Sequence, residues 1–126
     1  MSDAKRAVAA VGIGVSNLER SEDFYFRVLG MRRLMAHKLE DMEEVAMGYG
    51  DSAAVVLMHY TDGSEPNYKD NPVKLALSVP DPKEIIASIR GEGLEIVLEP
   101  QMLNGLLVGM GKDPDGYIIE VFARPA

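Results

Sequence analysis

One carboxylate stands out among the residues able to do chemistry. In Asp113-Pro-Asp-Gly-Tyr-Ile-Ile-Glu120 a tight turn feeds a strand, and Glu120 sits on that strand among apolar neighbours. An ionised carboxylate is costly to bury alone, so Glu120 calls for a cation, a donor or a ligand opposite it. The other candidates are Lys74, which opens a strand, and the two histidines, His37 and His59. A carboxylate beside an ammonium can hold an oxygenated molecule, with the carboxylate acting as base or hydrogen-bond acceptor. It can equally be a structural ion pair with no chemistry. His37 reads as a surface or hydrogen-bonded strand residue. Gly12 and Gly14 lie inside a strand with no third glycine opening a helix, which argues against a dinucleotide-binding loop. No serine–histidine–acid arrangement is visible, and the absence of cysteine excludes thiolate chemistry and disulfides.

The elements that position these residues belong to a chain of 126 residues, long enough for one domain with a real core. Its hydrophobic content of 47% and charged content of 26% are ordinary for a globular protein. The net charge is −7 and no basic cluster exceeds Arg32-Arg33, which speaks against nucleic-acid binding. The apolar run Ala7 to Val15 is too short and too glycine-rich for a membrane span or signal peptide, so a cytoplasmic location is expected.

Val11 to Val15 reads as a strand. Ser16 or Asn17 caps a helix, with Glu19 completing a capping box if Ser16 is the cap. Leu18, Tyr25, Val28 and Leu29 give that helix its apolar side, and Gly30 ends it. Arg32 to Leu39, Glu43 to Met47 and Ala53 to Tyr60 read as three strands. The polar segment Thr61 to Pro72 reads as a linker. The pattern then restarts. Lys74 to Val79 is a strand, and Asp81-Pro82 opens a helix with Ile85, Ile86 and Ile89 as its buried stripe. Glu95 to Leu98, Leu106 to Gly111 and Tyr117 to Phe122 are three more strands. Gln101 to Gly105 reads as a loop able to act as a mobile lid. Most of the eight methionines read as core fillers. Each half is thus βαβββ, about 8–60 and 73–123, joined by 61–72. The repeat pairs Ala10 with Lys74 at an offset of 64 residues, and Leu57 with Glu120 at an offset of 63.

The opening Val11-Gly-Ile-Gly-Val-Ser-Asn-Leu-Glu-Arg-Ser21 with Phe24-Tyr25 and Val28-Leu-Gly-Met31, and the closing Asp113 to Glu120, resemble the glyoxalase, bleomycin-resistance and extradiol-dioxygenase superfamily, also called vicinal oxygen chelate. The resemblance runs from about Val8 to Phe122 and implies an α+β fold, in which two βαβββ modules form a cupped mixed sheet with helices on its outer face. It also implies a small-molecule ligand or substrate and a homodimer. The reaction stays open, because this superfamily hosts isomerases, lyases, dioxygenases, transferases and drug-binding proteins.

The resemblance further implies a divalent metal (Ni, Zn, Mn or Fe) held by one side chain from the first and one from the last strand of each module. Those positions fall on Ala10, Leu57, Lys74 and Glu120, of which only Glu120 can ligate. Alanine and leucine carry no donor, and an ammonium has no lone pair, whereas tight sites take three or more protein ligands. No bound cofactor is therefore expected. Strand alternation puts Gly12 and Gly14 with position 10, Ala76 and Ser78 with Lys74, Val55 and His59 with Leu57, and Ile118 and Phe122 with Glu120. The expected site is then an apolar, roomy face with Lys74, Glu120 and His59 as catalytic candidates. Three functions compete: a lyase- or isomerase-type enzyme working on a small oxygenated substrate without the usual metal, a drug-sequestering bleomycin-resistance type of binder, and a metal-dependent glyoxalase I-like lyase.

Overall fold

The computed structural model describes residues 5–124. They form two compact units that meet in sequence at Pro66 and Asn67. The first contains β1 (Val11–Gly14), α1 (Leu18–Arg27), β2 (Arg32–Lys38), β3 (Met42–Tyr49) and β4 (Ser52–Tyr60). The second contains β5 (Lys74–Ser78), α2 (Pro82–Gly91), β6 (Ile96–Leu103), β7 (Leu106–Lys112) and β8 (Ile118–Ala123). Each is a βαβββ module with a four-stranded mixed sheet, ordered β1-β4-β3-β2 in the first and β5-β8-β7-β6 in the second. In both sheets the strand before the helix pairs in parallel with the last strand of its module.

Local chemistry accounts for the helices. Asn17 caps α1, its Oδ1 accepting from the Arg20 amide at 2.9 Å. Of the two candidate caps it is Asn17 that serves, and the Ser16 hydroxyl accepts from the Arg20 guanidinium at 2.8 Å. Ser21, Phe24 and Tyr25 bury the inner side of α1, and Val28 and Leu29 continue the stripe. Leu18, expected on that stripe, stays only half-buried. Asp81 caps α2 through the Lys83 amide, with Pro82 at the first helical position. Ile86 and Ile89 then pack onto β7 at its glycines. A Cβ at Gly109 would lie 2.7 Å from Ile86 Cγ1, and one at Gly111 would lie 2.9 Å from Ile89 Cγ2. Glycine there permits the helix to approach the sheet this closely.

The Gln101 to Gly105 lid is corrected. Gln101, Met102 and Leu103 belong to β6 and pair with β7, leaving Asn104 and Gly105 as a two-residue hairpin turn at φ 51° and 82°. Asn-Gly is the pair that tolerates this backbone, so the sheet runs to the turn and no loop remains. The core of the first unit is Ile13, Val15, Phe24, Tyr25, Met31, Val45, Met47, Val55 and Leu57. That of the second is built on Ile86, Ile89, Ile119 and Val121. Asp113 is buried in the turn before β8, where its Oδ1 accepts from the amides of Asp115 and Tyr117, both at 2.9 Å. Two backbone donors thus set the turn that delivers Glu120 to its strand.

Candidate functional site

Register decides which side chains share a face. In the second unit Ile119 and Val121 are fully buried and pair with Gly111 and Gly109, the residues that α2 covers. Glu120 therefore lies on the opposite, open face, in a cross-strand row with Ala76 on β5 and Met110 on β7. One row away, Ile118 sits between Lys74 and Lys112. On the other side Phe122 sits between Ser78 and Val108. Lys74 reaches diagonally across the parallel strands, its Nζ donating to Glu120 Oε1 at 2.9 Å. Glu120 is the more sheltered partner, with 18% of its side chain exposed against 52% for Lys74. Lys112 is matched in turn by Glu95, Nζ to Oε1 at 3.2 Å. The open face of this sheet is thus an apolar floor of Ile118, Phe122 and Met110, thinned along β5 by Ala76 and Ser78, with an ion pair standing on it.

The first unit corrects two site assignments. In the parallel pairing of β1 with β4, Ile13 lies opposite Leu57 and Gly12 opposite Val56. Leu57 is fully buried with Ile13 on the face that α1 covers, and not on the open face as the 63-residue offset required. The residue equivalent to Glu120 is Val56: Gly12 to Ala76 and Val56 to Glu120 are both 64 residues apart, and both pairs face each other across the parallel strands. Val55 and His59 move with Leu57. His59 sits at the end of the covered face, its Nδ1 donating to the Val15 carbonyl at 2.9 Å. The expectation that it shares the open face is therefore overturned by strand parity, since a one-residue slip exchanges the two faces of a strand.

The open face of the first sheet carries Val56, Met58 and Tyr60 beside Gly12 and Gly14. Met58 occupies the space over Gly12, where a Cβ would lie 3.1 Å from its Sδ. The same face holds His37 opposite Glu44, with His37 Nε2 3.1 Å from Met35 Sδ. Val56, Met58, Glu44 and Lys112 were missed in the sequence. A constant repeat offset was the signal that could have placed the first two. Two open depressions lie away from the Lys74–Glu120 pair. One of ≈ 560 Å³ runs beside Asn17, Arg20, Asp23 and Phe26 on α1, and one of ≈ 230 Å³ lies beside β2 at Leu18, His37 and Glu44.

A divalent metal does not fit the residues at the four positions once register is read correctly. They are Ala10, Val56, Lys74 and Glu120, a set with one carboxylate, and that carboxylate is engaged by an ammonium. Among the described residues no three His, Cys, Asp or Glu side chains gather into a cluster able to hold a metal ion.

A βαβββ module of this order, doubled in one chain, with its last strand returning parallel to its first, defines the class by its architecture. The chain belongs to the Glyoxalase/Bleomycin resistance protein/Dioxygenase superfamily, whose family model matches residues 7–121. Its relatives include a lactoylglutathione lyase of Neisseria meningitidis, 33% identical over 120 residues, covering 87% of this chain and 85% of that protein. A probable lactoylglutathione lyase of Vibrio cholerae is 31% identical, with 85% and 83% covered. Among solved structures, the trypanothione-dependent glyoxalase I of Leishmania major superposes with a TM-score of 0.77 at 26% identity, covering 94% of this chain and 87% of that one. A superfamily domain from Frankia superposes with a TM-score of 0.76 at 17% identity, over 95% and 98%, a likeness of fold alone. No helix among the described residues is long and apolar enough to cross a membrane.

Proposed function

We propose that this chain is a diverged member of the superfamily that binds a small oxygenated molecule through Lys74 and Glu120, without the divalent metal that the resemblance implies. The observation that carries the reading is the 2.9 Å contact between Lys74 Nζ and Glu120 Oε1, standing on an apolar sheet face at two of the positions assigned to metal ligands. The ammonium supplies hydrogen-bond donors to a carbonyl or hydroxyl oxygen. Glu120, the less exposed partner, supplies an acceptor and, toward an acidic C–H or O–H, a general base of the lyase or isomerase type. His59 has no part in this arrangement. A homodimer and a cytoplasmic location belong to the same reading, and light scattering on the purified chain tests the first.

The test is elemental analysis of the purified protein, combined with an assay for lactoylglutathione formation from methylglyoxal and glutathione with added nickel or zinc. Substoichiometric metal and no metal-stimulated turnover are expected. A stoichiometric divalent ion, lost together with activity on Glu120→Ala, overturns the reading. It would establish the alternative, a metal-dependent lactoylglutathione lyase, which the relatives at 31–33% identity favour. The third possibility, a bleomycin-resistance type of sequestering protein, differs from the proposed one only in turnover, and product formed from the bound compound excludes it.

A further inference from the structure

We propose that Met35 and His37 on β2, with Glu44 beside them on β3, form a binding site for a soft monovalent cation, Cu(I) or Ag(I). The site lies wholly in the first unit and uses none of the residues at the four positions assigned to a divalent metal. Met35 and His37 stand two residues apart on one strand, so both belong to the same face. Their donor atoms meet, with His37 Nε2 3.1 Å from Met35 Sδ. Glu44 pairs directly with His37 across the antiparallel strands, an arrangement that sets Cβ atoms about 4.5–5.5 Å apart. Met35 is 55% exposed, and His37 is exposed as well. Core packing therefore does not account for their contact, and an ion in solution can reach both.

The donor chemistry selects the ion. Thioether sulfur is a soft ligand that favours Cu(I), and imidazole nitrogen suits copper as well. Magnesium, calcium and manganese prefer oxygen, and zinc sites draw on thiolate, imidazole and carboxylate rather than on a thioether. A soft monovalent ion accepts two or three ligands, so a thioether and an imidazole are enough to hold it. With the His37 proton on Nδ1, Nε2 and Sδ both present lone pairs within 3.1 Å of each other, and a cation bonded to both removes that repulsion. With the proton on Nε2 the same contact is only N–H···S. The flexible methionine chain lets the bite widen without moving the backbone. Glu44 offsets the added positive charge. Arg33 and Lys38, the cations flanking the pair on β2, are already matched by Glu22 at 2.6 Å and Glu43 at 3.6 Å. Two strong protein donors make an exchanging site and not a resident cofactor.

The experiment titrates the full chain with silver nitrate in chloride-free buffer and follows the methionine methyl and histidine ring signals by proton–carbon NMR. The Met35 methyl and His37 ring are expected to move together and to saturate at one silver ion per chain. Met102 serves as the internal comparison. It is as exposed, at 54%, but lies on a strand without histidine, and its methyl is expected to stay in place. Zinc is expected to bind more weakly than silver by about tenfold or more. Met35→Leu and His37→Gln change exposed side chains, and each is expected to weaken silver binding by about tenfold or more. The His59 ring and the other methionine methyls report that each variant stays folded. Silver that moves Met102 as much as Met35, or that binds both variants as it binds the wild type, overturns the site. Zinc that binds as tightly as silver, and indifferently to Met35→Leu, overturns the choice of a soft ion.

Discussion

Placing a glutamate at position 56 and, separately, at position 57 tests the register on which the site depends. Leu57 has no exposed surface and faces α1, whereas Val56 is half-buried on the open face between Gly12 and Ala46. Leu57→Glu removes a buried leucine, at a cost of about 2–5 kcal/mol. It also forces a carboxyl into an apolar site. If burial raises that carboxyl by ~3 pKa units, holding it neutral costs a further ~4 kcal/mol at pH 7. The sum, roughly 6–9 kcal/mol, is comparable to the whole stability of a domain, about 5–15 kcal/mol. Val56→Glu loses only partial burial and some strand propensity, together about 1–2 kcal/mol.

Urea unfolding followed by far-UV circular dichroism reads the difference. Val56→Glu is expected to fold with a modestly lowered midpoint, and Leu57→Glu to be largely unfolded at pH 7. The sign with pH is also fixed. A carboxyl whose folded pKa is raised above its unfolded value of about 4.3 penalises folding above that value and ceases to do so below it. Leu57→Glu should therefore regain part of its deficit as the pH falls toward 4, while Val56→Glu should not. If Leu57→Glu proves the milder change, β4 is turned the other way and the assignment of Glu120's counterpart is wrong.

The remaining predictions concern the frame. The Tyr49 hydroxyl donates to the Leu29 carbonyl at 2.6 Å, and burial raises its pKa. The neutral phenol is thus the form favoured on folding. Its contribution is complete below the unfolded value of about 10 and is lost as the pH rises toward the higher folded value. Tyr49→Phe should cost about 1 kcal/mol at pH 7 and should flatten the loss of stability above pH 10. Parallel pH–stability curves for the two proteins would refute the assignment. Asp113→Ala leaves the Asp115 and Tyr117 amides without their acceptor. It is expected to lower stability by about 1–3 kcal/mol, read as a shifted urea midpoint, and an unchanged midpoint would show that the turn holds without its side chain.

The architecture was legible because both halves repeat the same signals: a glycine- or alanine-spaced strand, a capped helix, and three strands closed by turns. Asp81-Pro82 and Asn17 mark helix starts by their own chemistry, so those boundaries could be read locally. Glu120 and Lys74 were legible as partners for the same reason, since β5 and β8 lie in register with no irregularity. The first module misled because β4 alternates poorly. Val55, Val56, Leu57 and Met58 are all apolar, so no polar residue shows which parity faces out. The constant 64-residue offset resolves it, while a 63-residue offset makes Leu57 the repeat counterpart of Glu120 and carries His59 onto the wrong face. Gln101 to Gly105 misled in a different way. Its glutamine, asparagine and glycine look like a loop, but the Asn-Gly turn is tight enough for β6 and β7 to pair up to it.

Exchanging a metal position for an ammonium changes what the face can do, and the change runs in one direction. A divalent ion can hold two oxygens of one ligand and draw charge from both. An ammonium meets them only through separate N–H bonds, and here one of those bonds goes to Glu120. The activation it lends to a neighbouring C–H is correspondingly smaller, so any proton Glu120 removes must already be acidic in the free ligand. Hydroxycarbonyl compounds meet that requirement through enolisation, whereas simple alcohols and alkanes do not. On the proposed reading, the ion pair of Lys74 and Glu120 therefore limits the chemistry of this face to ligands that carry their own activation.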